Sequence, residues 1–267
     1  MSDNLNGEVL NFPRDTTMQL LVKVHRNQMA GEADILYKEK VAAATSKAEV
    51  DALFVEWWKY QYDPELYTKG EMLERWFGNV LDDTRTHGVT TPRYSKSTSM
   101  IGELTDDSAG LTCTPSTEST AGSDPFAHLP QFWCLEVAAE KKADGSHEIF
   151  YVEHIDDTAK VRGGEYLCWV LQKNTYKREW QDKDYKYLKT RCTPAPGYKR
   201  WKEGTDRTGK VHEYMAHPKY YAGIDADGGI TCGTGLKPVN RTSHQTGVSR
   251  WRGRGAQYSG ASGSLVK

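Results

Sequence analysis

The sequence predicts an α+β protein: a small N-terminal helical bundle, then an antiparallel β-rich region ending in a glycine-rich basic tail. Three observations carry this expectation. Apolar residues recur at helical spacing before residue 83, the period shortens to two after Pro130, and a stretch rich in Ser, Thr, Gly and Pro separates the two regimes. The expected organisation is a helical domain over 1–83, a linker or long loop over 84–127, a β-rich domain over 128–240 and a basic Gly/Arg tail over 241–267.

In the first region, Met18, Leu21, Val22, His25 and Met29 form one helical stripe. Gly31 is the expected stop, and a second helix is expected over 32–44. Ser46-Lys-Ala-Glu49 has the pattern of a capping box, in which hydroxyl and carboxylate satisfy free amides at a helix start. The helix it opens presents Val50, Leu53, Phe54 and Trp57 and closes before Asp63-Pro64. Thr68-Lys-Gly-Glu71 repeats the device ahead of Met72, Leu73, Trp76, Phe77 and Val80. Short amphipathic helices with short connections make a bundle whose rings are core. Its surface is the expected place for a protein partner or for self-association.

Residues 84–127 offer too little apolar surface to offset ordering entropy, which is the reason for expecting a linker there. Beyond Pro130, Trp133, Leu135 and Val137 alternate with Cys134 and Glu136. Asp144-Gly145 is a hairpin turn signal, with the return strand over 148–155. A third strand covers 165–171, and shorter candidates fall at 185–188 and 211–215. From Gly223 onward glycines are frequent and no period is clear.

Composition narrows the function classes. Aromatics reach 11% although hydrophobic residues make up only 37%, so the chain has rings to bury or use and reads as globular. No apolar run approaches the ~18 residues of a membrane-spanning helix, so no membrane role is expected. The first 25 residues lack a signal-peptide pattern. Five widely spaced cysteines with no CxxC point to free thiols in a reducing cytoplasm. The net charge of −1 hides an asymmetry: residues 190–267 hold 13 Lys+Arg against 5 Asp+Glu, a surplus of +8, and the remainder carries −9. A basic end suits a nucleic acid or other polyanion.

The strongest constellation interleaves base and ring across 173–202. Single strands are bound by cations that meet phosphates and flat rings that stack on bases. The expected stacking residues are Tyr176, Trp180, Tyr185, Tyr187, Trp201 and Trp251, and the expected phosphate contacts are Arg178, Lys186, Arg200, Arg250, Arg252 and Arg254. The run Ser249-Arg-Trp-Arg-Gly-Arg-Gly255 resembles the Arg-Gly segments of RNA-binding proteins over seven residues. The leading expectation is therefore a non-enzymatic protein that binds single-stranded RNA or DNA without a cofactor.

An alternative reading is a small metal-dependent hydrolase or nuclease using His147, His154, Asp156, Asp157 and His212 with a divalent metal. The fragment Val152-Glu-His-Ile-Asp156 resembles the opening of a His-Asn-His nuclease motif, although no Asn follows before Asn174. His212-Glu-Tyr-Met-Ala-His217 is one residue longer than the zinc-peptidase spacing, which turns the second imidazole away by ~100° on a helix. There is no Walker loop, GxGxxG or GxSxG. A third reading is a structural or assembly subunit, with the rings filling a sheet core.

Overall fold

The computed structural model describes residues 16–94, 102–142, 147–158, 167–206, 209–224, 229–232, 236, 239 and 243–254. The fold is mixed α+β, with antiparallel sheets. Helix α1 spans Thr16–Ala43, α2 Lys47–Gln61 and α3 Lys69–Arg75, which runs into a π-helical turn over Trp76–Val80. The caps form where the sequence places them. Ser46 accepts from the Glu49 amide, and Thr68 and Glu71 complete a reciprocal capping box. Gly31 does not stop α1, and the two expected helices are one. A single glycine costs only ~1 kcal/mol in a helix interior; Ala30, Ala33, Tyr37 and Val41 bury one face through and beyond it.

Two sheets follow. Strands β1 (Thr86–Pro92), β2 (Glu103–Asp106), β6 (Tyr176–Gln181), β7 (Tyr185–Arg191) and β8 (Lys199–Arg200) form a five-stranded sheet in the order β2-β1-β7-β6-β8. Strands β3 (Cys134–Lys141), β4 (His147–Val152), β5 (Leu167–Lys173) and β9 (Tyr214–Pro218) form a four-stranded sheet in the order β4-β3-β5-β9. A short ribbon pairs β10 (Gly223–Ile224) with β11 (Ile230–Thr231), and helix α4 covers His244–Arg254. Every pairing is antiparallel. The Asp144-Gly145 turn lies outside the described residues, but β3 and β4 pair on either side of it.

The segment expected as a linker departs from that expectation: it supplies β1 and β2. Both are polar because their stabilisation is largely backbone pairing: β1 runs in register with the distant β7, from Thr86 against Arg191 to Pro92 against Tyr185, and β2 pairs in turn on β1. The two sheets also alternate along the chain, so the sequence boundaries at 84 and 128 do not separate them.

One core joins the helices to the four-stranded sheet. Val50, Phe54, Trp57, Trp58, Met72, Leu73, Trp76 and Phe77 pack with Trp133, Leu135, Val137, Val152 and Leu171. Phe54 meets Trp58 and Trp76 edge-on at centroid distances of 5.6 and 5.1 Å, geometry that suits ring quadrupoles. Asp34 is buried inside this assembly. It accepts from Trp57 Nε1, Arg75 Nη2 and Asn79 Nδ2, each at 2.9 Å, so its charge is paired and hydrogen-bonded. Gln131 ties the sheets together: it donates to Arg85 O, accepts from Thr190 Oγ1, and offers its own carbonyl to Gln172.

Candidate nucleic-acid interface

Pairing register decides which of the expected side chains share a face. Residues directly opposite in an antiparallel pair project to the same side. On β6 and β7 the pairs are Tyr176 with Arg191, Arg178 with Lys189, and Trp180 with Tyr187. One face therefore carries three rungs in order: ring and cation, two cations, two rings. Across β7, the same face of β1 carries Thr86, Gly88, Thr90 and Pro92, which are small enough to leave the rungs standing above them.

The rungs are internally ordered. Trp180 and Tyr187 stack with centroids 4.9 Å apart and planes 7° from parallel. Tyr185 continues the row, 6.3 Å from Tyr187 and tilted. The Arg178 guanidinium lies 4.9 Å from the Trp180 ring and Lys189 Nζ 6.0 Å from it. At the other end Arg191 lies 5.8 Å from Tyr198. Trp180 and Tyr185 are 37% and 44% exposed, which leaves indole and phenol surface open to a ligand. Asp182 pins the far edge: it accepts from the Tyr187 hydroxyl at 2.6 Å and from the amides of Asp184 and Tyr185. The Tyr187 hydroxyl, followed by those amides, holds the Asp182 carboxyl below the usual range.

The remaining expected residues divide. Lys186 pairs with Gln181, so it belongs to the opposite face from Tyr185 and Tyr187. Arg200 pairs with Tyr176 and lies 4.9 Å from its ring, but its guanidinium is held by Glu213 at 2.7 Å. Trp201 donates its indole N–H to Thr175 and stacks under Lys177 at 3.7 Å, so it packs the sheet edge. Trp251 packs on Leu167 and Cys232, away from the rungs, with exposed Arg250 and Arg252 beside it on α4. The Arg254 side chain and residues 255–267 lie outside the described residues. Lys189 and Arg191 belong to the face yet were not among the expected contacts. Their parity relative to Tyr187 on one strand was the available signal.

Among the described residues the alternative catalytic set forms no metal site. His154 occupies a turn after β4 with φ of 66° and lies 3.6 Å from Asp51. Asp156 is bound by Lys69 at 2.5 Å and by the Val152 amide. Asp157 is exposed, and the His147 side chain lies outside the described residues. His212 sits elsewhere, between Glu74 at one ring nitrogen and Asp206 at the other, 3.2 Å away. Among the described residues no three His, Cys, Asp or Glu side chains are placed to hold a metal ion.

No family model matches this chain, and no curated protein or solved structure matches it either. No helix among the described residues is long and apolar enough to cross a membrane.

Proposed function

We propose that the outer face of β6 and β7 binds single-stranded nucleic acid. The observation that supports this reading is the parallel-stacked Trp180–Tyr187 pair with Arg178 and Lys189 on the next rung. Rings accept bases of any identity, and adjacent cations accept the phosphates between them. Two parallel rings already in contact present a platform that loses little entropy on binding. The activity is non-enzymatic and is assigned to the cytoplasm. All five cysteines are unpaired, the state that a reducing compartment maintains. The basic α4, with Arg250 and Arg252, adds sequence-independent attraction.

Fluorescence anisotropy with a labelled oligouridine and a labelled oligothymidine tests the reading. Affinity falls steeply with salt, with a log–log slope of about −0.7 per phosphate engaged. Trp180→Ala removes the outer ring without opening the core and weakens binding by ~1–3 kcal/mol, about five- to 150-fold. Absence of binding by the native chain to both oligomers at low salt overturns the proposal, as does binding unaffected by Trp180→Ala.

A further inference from the structure

The middle rung of the platform carries two cations, and one of them is already occupied. Lys189 Nζ lies 2.6 Å from Asp106 Oδ1. Asp106 reaches it from the end of β2 by an unusual route. The pairing register sets Asp106 opposite His87, the parity opposite to that of Lys189. Its backbone is left-handed, with φ of 57°, a conformation that few residues other than glycine adopt and that Asp and Asn tolerate best. In it the carboxylate lies over Gly88: a Cβ added at Gly88 would come within 2.5 Å of Asp106 Oδ2. Thr105 donates to that same oxygen at 2.8 Å. A rare backbone conformation and a position without a side chain thus combine to lay one carboxylate across the centre of a basic, ring-bearing face.

We infer that Asp106 stands in for a backbone phosphate at Lys189, so that a single-stranded nucleic acid must displace it to engage the middle rung. The inference rests on the proposed nucleic-acid reading and adds a built-in competitor to it. Burial disfavours the Asp106 carboxylate, yet the hydrogen bonds from Lys189 and Thr105 outweigh that and hold its pKa below normal, so it remains an anion at neutral pH. Both side chains keep some contact with water, 30% for Lys189 and 25% for Asp106, so the pair can open without unfolding the sheet.

The competitor has a thermodynamic signature. When a free cation meets a phosphate, the nucleic acid releases a counterion. While Asp106 holds Lys189, that cation meets no phosphate and releases no counterion. Asp106→Asn keeps the left-handed backbone and removes the charge. Its salt slope with oligouridine steepens by about 0.7 relative to the native chain, so its advantage in affinity shrinks about 2.6-fold between 50 and 200 mM salt. Asp106→Asn combined with Lys189→Met returns the slope to the native value. Glu103→Gln, which removes an equal charge at the exposed other end of β2, separates the local pair from net charge. An Asp106→Asn slope equal to that of the native chain, or matched by Glu103→Gln, overturns the inference and leaves the binding reading standing. Failure of both the native chain and Asp106→Asn to bind removes both. Binding by Asp106→Asn alone supports the competitor and assigns it full control of the face.

Discussion

Replacing Asp34 by Ala is the sharpest test of how the fold is held. The carboxylate is 4% exposed and receives three donors from three different elements: the Trp57 indole, the Arg75 guanidinium and the Asn79 amide. Removing it strands a partly buried cation, since the Arg75 side chain is only 19% exposed and is left with weak partners: the Trp57 and Tyr67 rings at 5.4 and 5.5 Å, two carbonyl oxygens at 3.4 Å and Met72 Sδ at 3.9 Å. Breaking one partner of a buried pair costs about 3–5 kcal/mol. That is a large share of the ~5–15 kcal/mol that stabilises a typical protein. Asp34→Asn is milder, because its oxygen can still accept, but its amide faces the Asn79 amide donor to donor. Urea denaturation followed by tryptophan fluorescence measures both, with an unchanged m-value as the sign that the unfolded state is the same. A loss below about 1 kcal/mol for Asp34→Ala would refute the assignment, since an exposed pair contributes no more than that.

Two further contacts set measurable outcomes. Hydrogen bonding to Glu74, opposed by burial, raises the His212 pKa, so the native state holds the proton more tightly than the unfolded chain. Its stabilisation is then complete below the ordinary imidazole pKa of about 6.5 and fades as pH rises through the higher folded value. The Tm difference between the native chain and His212→Gln therefore narrows from about pH 6 to about pH 8; a difference that widens contradicts the assignment. Gly204→Ala places a Cβ 2.0 Å from Nδ2 of the fully buried Asn174, which donates to His212 O. The expected cost is ~1–3 kcal/mol by differential scanning calorimetry, and a neutral result argues against the close approach.

Local chemistry was legible in the residues themselves. Ser46 and Thr68 announce helix starts because capping is decided within four residues. Trp133, Leu135 and Val137 announce β3 because one of its faces is core. Strands β1 and β2 were not legible. Thr, His, Gly and Pro carry no alternating apolar signal; what orders β1 is its register with a strand about a hundred residues away, and β2 then pairs on β1. The candidate site was legible as composition and not as geometry. The run 173–202 announces rings and cations, but register alone separates Lys186 from Tyr185 and Tyr187. The diversion of Arg200 to Glu213 and of Lys189 to Asp106 depends on partners brought close only by folding.

The passage from β5 to β6 has a consequence for any attempt to dissect the molecule. Only Asn174 and Thr175 separate a strand that lines the tryptophan-rich interior from the strand that displays Trp180. The five-stranded sheet draws on 86–106 and 176–200, while β3, β4 and β5 fall between those stretches and β9 after them. No single cleavage of the chain separates the two sheets from one another, and a fragment bearing the rings without the hub of indoles would lack its foundation. The strand that displays the surface continues directly from the strand that lines the interior.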